Sequence, residues 1–240
     1  MLIAIINQST LVSDADAVTM TEAVATQVRF DAAPLWERAP AAVIFYTDPK
    51  GVPPTAHGIA IVDTIQDQPK DVMGYHTEEH GGKLWGVVAA KPELDNGGTA
   101  MTGDWSVSTV LSHEVLEMFV DPNCNLWAND GKGSAYSFEV CDPVEAPSYT
   151  ISGVSVSNFV TPSWFDPLAP ANSQFDKLSL LHEPFAVLKG GYVVYESAGR
   201  ERQEFGEGFP NWRKETKTGP LARTSHRLAQ AHYGGGRTPT

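Results

Sequence analysis

Residues 105–120 read Trp-Ser-Val-Ser-Thr-Val-Leu-Ser-His-Glu-Val-Leu-Glu-Met-Phe-Val, and this stretch decides the predicted fold. Ser106 or Ser108 can cap the start of a helix here. Asp121-Pro122 ends the helix, because a proline cannot continue it. Apolar residues recur at helical spacing and form one face of it: Val110, Leu111, Leu116, Phe119 and Val120. The stretch therefore predicts an amphipathic helix with its charged residues on the other side.

The charged residues of this helix have the spacing of a metal site. His113 and Glu117 are four residues apart, so their Cβ atoms lie on one face about 6 Å from each other. Both can bind one ion, and Glu114 can act beside them as a general base. Between residues 101 and 150 there are eight acidic residues and one basic residue, Lys132. Clustered carboxylates repel one another. A bound divalent cation is the simplest way to neutralise their negative charge.

A third ligand must come from outside the helix, and the acidic segment after it offers candidates. Glu139 lies 22 residues beyond Glu117, which leaves room for the chain to turn back. Asp142 can ligate the ion itself or can hydrogen-bond His113 as a supporting group, and Glu145 is a weaker alternative. We expect His113, Glu117 and Glu139 as ligands, with Asp142 as a supporting group or an alternative ligand.

The motif His113-Glu114-x-x-Glu117 resembles the metal-binding helix of the zincin metallopeptidases, in which two ligands flank a catalytic glutamate. A later glutamate ligand with an aspartate just after it resembles the gluzincin branch of that family. The resemblance covers about the first 145 residues. It implies a metallopeptidase with a peptide or protein substrate, a zinc ion and Glu114 as the catalytic base.

The sequence departs from the zincin motif at its last position, where Glu117 stands in place of a histidine. A shell of one histidine and two carboxylates carries a formal charge of −2, so a divalent ion leaves it neutral. Such a site acidifies bound water less and favours harder ions. Zinc is still the first expectation, and manganese and iron are the alternatives.

A wider resemblance covers most of the chain but implies no activity. It is to an uncharacterised set of phage and bacterial proteins, and it rests on residues 7–10, 74–76, 112–118 and 184–192. Together with the altered motif, it motivates an alternative function. The chain would then be a phage-related structural or interaction protein that a metal stabilises without turnover.

The rest of the chain predicts an α/β (α+β) fold in one zincin-like domain over residues 1–212. Asp14 or Asp16 caps a backing helix that ends near Phe30. Apolar runs predict the strands of a mixed sheet at residues 2–6, 41–46, 59–65 and 84–90. In the zincin resemblance, strand 84–90 is the edge strand, which can pair with an extended peptide.

Residues 123–212 predict a loop-rich C-terminal lobe with two β-hairpins. Ser152-Gly153 and Gly190-Gly191 are the expected hairpin turns. Cys124 and Cys141 are too few for a disulfide framework, and they are either free or paired across a loop.

Composition excludes several classes of protein. The 240 residues are 42% hydrophobic and include six Trp, which excludes a disordered chain. The net charge is −12; residues 213–240 carry six basic and one acidic residue, a net +5, so the remainder carries −17. This acidic body excludes general nucleic-acid binding. We expect residues 213–240 to be a flexible basic tail.

The sequence shows neither of the two features that would place the chain in or across a membrane. No apolar run has the length of a membrane span, and the apolar start lacks the basic flank of a signal peptide. We therefore expect no membrane partner and a cytoplasmic or phage-associated location. Nothing in the sequence predicts the oligomeric state.

Several further residues are candidates by residue type. Tyr149, His182 and Tyr192 are expected donors to an oxyanion or to the substrate. His76 and His80 are also four apart, but the neighbouring glycines predict a loop there. A metal-free glycosidase that uses two of the carboxylates is disfavoured, since carboxylates one helical turn apart rarely flank a sugar ring correctly.

Overall fold

The computed structural model describes residues 1–66, 72–79 and 83–209. Its first half forms a five-stranded sheet of β1 (Leu2–Asn7), β2 (Ala42–Tyr46), β3 (His57–Val62), β4 (Gly74–Glu79) and β5 (Lys83–Ala89). The strand order is β2-β1-β3-β5-β4. β1, β2, β3 and β5 run parallel, and β4 runs antiparallel to β5. The predicted α/β (α+β) class and mixed sheet are confirmed.

Among the described residues, four helices accompany the strands: α1 (Asp14–Gln27), α2 (Ala33–Leu35), α3 (Ala90–Asp95) and α4 (Val107–Val120). A π-helical turn, Val28–Ala32, joins α1 to α2. Ser13 caps α1 by accepting a hydrogen bond from the backbone of Asp16, so the predicted caps were one and three residues too late. Ser106 caps α4, as one of the two predicted alternatives.

α4 is the central helix of the molecule. It contacts β4 and β5 on one side and α1 on another. A β-hairpin from the second half of the chain also packs on it. Every residue of α4 is buried, including the three charged ones. The charged side of the helix is therefore not exposed to solvent, because β4 and the second half of the chain cover it.

The second half is built from short strands: β6 (Trp127–Asn129), β7 (Ser134–Ser137), β8 (Ser148–Ile151), β9 (Val154–Ser157), β10 (Tyr192–Ser197) and β11 (Arg200–Phe205). β11, β10, β7 and β6 form an antiparallel sheet, and β8 and β9 form a separate hairpin. β9 packs on α4. One apolar cluster joins the two halves, running from Ile3 in β1 through Leu111 in α4 to Trp164.

One hairpin turn agrees with the prediction and the other does not. Ser152 and Gly153 both have positive φ, as the tight turn between β8 and β9 requires. The second turn lies at Ala198-Gly199, between β10 and β11, and not at Gly190-Gly191. Gly191 instead allows a close backbone approach, because a Cβ there would collide with the carbonyl oxygen of Pro143.

The structure contradicts two other predictions, which concern the edge strand and the position of His76. Residues 84–90 do not form an edge strand, since β5 pairs with β3 on one side and β4 on the other. β4 is the edge strand of the described sheet, and it contains His76, which the sequence had placed in a loop. His80 and residues 213–240 lie outside the described residues. None of the described helices combines the length and apolarity needed to cross a bilayer.

The loop after β1 is tied to the end of β3 by Asp63. This carboxylate accepts hydrogen bonds from the hydroxyls of Ser9 and Thr10 and from the backbone of Thr10 and Leu11. The hydroxyl bonds come first among the causes that lower the pKa of Asp63 to about 2. A lowered pKa in the folded state stabilises the fold above the ordinary value of 3.8, and that contribution is lost as pH falls through about 2.

We therefore expect Asp63→Asn to lower the free energy of unfolding by about 1 kcal/mol at pH 7, a value kept small because the loop is solvated. The difference from wild type should shrink between pH 4 and pH 2. Urea unfolding at several pH values measures it. Asp48→Asn is the control, since Asp48 also bonds the backbone of a solvated turn. A full difference that persists at pH 2 would contradict this role of the ionised carboxylate.

Candidate metal centre

α4 brings the residues of the sequence motif to one buried point. His113 Nε2 lies 3.0 Å from Glu117 Oε1, one helical turn further on. His113, Glu114 and Glu117 expose 6%, 2% and 0% of their surface, respectively. Burial on this scale is unusual for a glutamate, since taking a carboxylate out of water is costly unless a cation or hydrogen bonds compensate.

The acidic segment after β7 returns to the same point, as the sequence predicted. Asp142 Oδ1 lies 3.2 Å from His113 Nε2. Glu117, Glu139 and Asp142 each offer a carboxylate oxygen, and these three oxygens lie within 4.8 Å of one another. Glu139 and Asp142 are 4% and 1% exposed. The structure thus places His113 beside Glu117 and Asp142, and it places Glu139 beside the same two carboxylates; His113 and Glu139 do not share a candidate ligand group among the described residues.

The donor set fits a divalent metal ion. Atoms that bind one tetrahedral ion at about 2.1 Å lie about 3.4 Å from one another. The distances from His113 Nε2 to Glu117 and Asp142, 3.0 and 3.2 Å, are close to that value. Asp142 faces the same ring nitrogen as Glu117, a position that suits an alternative ligand better than a supporting group on the other nitrogen. Glu145 is only half-buried and belongs to none of the candidate ligand groups.

A second histidine joins the cluster from β4, and sequence reasoning missed it. His76 is 5% exposed, and its Nδ1 lies 3.5 Å from Glu114 Oε2 and 3.9 Å from Glu117 Oε2. Gly74, at the start of the same strand, leaves space for Glu114, because a Cβ there would lie 2.7 Å from Glu114 Oε1. A strand signal was present in residues 74–77, Gly-Tyr-His-Thr, where tyrosine and threonine favour β-structure.

The outer nitrogen of His76 is held by the turn that follows α4. Nε2 lies 3.3 Å from the carbonyl oxygen of Asp121 and 3.0 Å from Cys124 Sγ. The Cys124 thiol in turn donates to the carbonyl oxygen of His76. Since a carbonyl oxygen can only accept, the contact with Asp121 places a proton on Nε2. Asp121 itself is fixed, because its carboxylate accepts from the backbone of Asn125 and Leu126.

Both histidines are strongly coupled to their acidic neighbours. Burial lowers the pKa of His113, but its contacts with Glu117 and Asp142 outweigh burial and raise that pKa to about 10. Burial likewise lowers the pKa of His76, and its contacts with Cys124 and Glu114 raise it to about 10. In the metal-free protein, protons therefore occupy positions beside the carboxylates where a cation would be favoured.

Both cysteines are free thiols. Cys141 is buried, and it can join His113 and Glu117 in a third group of closely placed ligand atoms. Burial, together with the negative charge of Glu117, raises the pKa of the Cys141 thiol well above its usual range. Because a thiol binds metal as the thiolate, this shift favours the carboxylates over Cys141 as ligands.

The three expected oxyanion donors have other surroundings. The hydroxyl of Tyr149 donates to Asp31 and accepts from Gln27, and burial followed by the Asp31 contact raises the pKa of Tyr149. His182 is exposed. The ring of Tyr192 packs in a separate apolar cluster, where it stacks on Phe205. The described contacts thus assign none of these three side chains to the metal centre.

Comparison of the chain with models of known protein families, with curated proteins and with solved structures finds no match. The chemistry of the centre must therefore be inferred from its own geometry.

Proposed function

We propose that this protein is a zincin-like, metal-dependent hydrolase that acts on peptides or proteins. His113, Glu117 and Glu139 hold the divalent ion, with Asp142 as a further or alternative ligand; zinc is the first choice, before manganese and iron. The observation that carries the proposal is the position of His113 Nε2, 3.0 Å from Glu117 and 3.2 Å from Asp142 in a buried site. One ring nitrogen facing two carboxylates favours a positive charge between them, which a proton supplies in the metal-free protein and a divalent ion would supply in its place.

Each residue then has a separate task. A divalent ion in this site supplies Lewis-acid polarisation of a substrate carbonyl and of water. Glu114, beside the ligands on α4, takes a proton from the attacking water and delivers it to the leaving amine. β4, as the edge strand of the described sheet, offers backbone groups that can pair with an extended peptide next to Glu114.

The test is Glu114→Gln in purified protein, with the metal content measured by elemental analysis. We expect the metal to stay bound, because the proposed ligands are intact. Hydrolysis of a library of fluorescence-quenched peptides should fall by about 10²–10⁴-fold, the usual effect of losing a general base.

Glu22→Gln is the matched control, since it makes the same chemical change at an exposed position of α1. It should leave both metal content and hydrolysis unchanged. Hydrolysis that survives Glu114→Gln at the wild-type rate would exclude Glu114 as the base, and a purified protein without metal would refute the whole proposal.

The second candidate is a non-catalytic structural or interaction protein stabilised by the metal. The observation that favours it is burial. No side chain of the centre on α4 and the acidic segment exposes more than 6% of its surface: His113, Glu114, Glu117, Glu139 and Asp142. A substrate needs an open approach to the ion, whereas a structural ion needs only a closed shell. Bound metal that raises the melting temperature, with no peptide cleaved from the library, would support this candidate.

A further inference from the structure

We propose that the centre takes a second divalent cation, bound by His76, Glu114 and Glu117, with Glu117 bridging the two ions. The two oxygens of Glu117 face different histidines: Oε1 lies 3.0 Å from His113 Nε2, and Oε2 lies 3.9 Å from His76 Nδ1. His76, Glu114 and Glu117 each offer a ligand atom within 4.8 Å of the others. A bridging carboxylate of this kind can place two ions about 4 Å apart, as in two-metal hydrolases.

His76 is oriented as metal-binding histidines usually are. Its Nε2 carries the proton that faces the carbonyl oxygen of Asp121, so the lone pair of a neutral ring lies on Nδ1. That nitrogen has no hydrogen-bond partner with good geometry among the described residues, although two carboxylates are nearby. Two carboxylates this close favour a positive charge at Nδ1, which a proton supplies in the metal-free protein and a divalent ion can supply in its place. Metal-bound histidines typically donate their other N–H to a carbonyl or carboxylate in this way.

The charges of the cluster suit two ions better than one. Glu114, Glu117, Glu139 and Asp142 carry a formal charge of −4 when ionised, and all four are at most 4% exposed. One divalent cation at the first site and the protonated ring of His76 leave −1 in a buried space, and a second divalent cation in place of that proton brings the sum to zero. One nitrogen and two carboxylates form a mixed donor set, which suits zinc, manganese or iron.

The second ion has a consequence for activity, and here the inference rests on the proposed hydrolase function. A cation bound to the Glu114 carboxylate competes with the proton that this group must accept. The first equivalent of metal is therefore expected to activate hydrolysis, and the second to inhibit it. The second site acts as an inhibitory cation site built around the general base.

The experiment titrates metal-free protein with Mn²⁺ and follows binding directly, by elemental analysis after gel filtration and by electron paramagnetic resonance. We expect wild type to bind two ions, the second giving the spectrum of a spin-coupled pair. His76→Gln should keep the first ion. It should weaken binding of the second ion by at least about 100-fold, because loss of a direct ligand costs more than loss of a group that only supports a ligand, which typically costs about 10–100-fold. His182→Gln is the control, because it makes the same change at an exposed histidine outside the centre, and it should still bind two ions.

The outcomes separate this inference from the proposed function. One ion in wild type, with the same content in His76→Gln, overturns the second site and leaves the hydrolase intact. Two ions without spin coupling also overturn it, since bridged ions must interact. No bound metal at all refutes the proposed function itself. If His76→Gln fails to fold, the stoichiometry and spectrum of wild type still decide the question.

Discussion

Glu117→Gln is expected to remove metal binding and hydrolysis together. Glu117 belongs to all three groups of candidate ligand atoms and is fully buried. Removing one partner from a buried charge contact costs about 3–5 kcal/mol, which corresponds to about 10²–10⁴-fold in metal affinity. Hydrolysis should fall to background, because the ion and the geometry that it orders are lost together. Elemental analysis and the peptide library measure the two effects on the same preparation.

The metal-free form of this variant provides a second readout. Glu117→Gln leaves the protonated ring of His113 with one carboxylate partner fewer, so at pH 7 the metal-free variant should melt below metal-free wild type. Glu93→Gln is the matched control, since Glu93 is also a buried glutamate but belongs to none of the ligand groups. It should bind metal as wild type does. A metal content unchanged by Glu117→Gln would mean that this carboxylate is not a ligand.

The candidate metal site could be predicted where the geometry of a single helix determines it. His113 and Glu117 lie four apart in a helix whose start, Ser106, and end, Asp121-Pro122, are both signalled by the sequence. A helix of known register fixes which side chains share a face, so the proximity of this pair follows from the sequence, and the structure gives the contact as 3.0 Å.

His76 could not be predicted in the same way, because its place depends on pairing across the sheet. β4 is antiparallel to β5 and brings His76 to the side of α4, 38 residues before Glu114 in the chain. No spacing rule connects a strand residue to a helix residue over that distance. Its neighbouring glycines favoured a loop, yet Gly74 is needed because a larger residue would collide with Glu114.

The predicted edge strand failed for a related reason. Residues 84–90 form a short apolar run, and such a run is typical of a strand buried between two neighbours as well as of an edge strand. β5 has both neighbours, β3 and β4. The polar strand β4, Gly-Tyr-His-Thr-Glu-Glu, has the composition expected of an edge, where charged side chains discourage further pairing.

Removing the metal is expected to destabilise the fold and to abolish hydrolysis, and the loss of stability should grow with pH. An ion present at about 100 times its dissociation constant stabilises the folded state by about 3 kcal/mol. For a chain of this size, that corresponds to a fall of roughly 5–10 °C in melting temperature. Protein dialysed against chelator and then into chelator-free buffer is compared with the same protein reloaded with zinc.

The pH dependence follows from the two histidines. In the metal-free protein, the pKa of His76 and of His113 is raised to about 10 from an ordinary value of 6.5. A raised pKa stabilises the folded state fully below 6.5, and this contribution is lost as pH rises through about 10. Metal binding has the opposite trend, because the ligands must give up their protons to the solvent. The difference in melting temperature between loaded and metal-free protein should therefore widen from pH 6.5 to pH 9.5. A difference that stays constant or narrows would mean that the ion does not replace protons on these histidines.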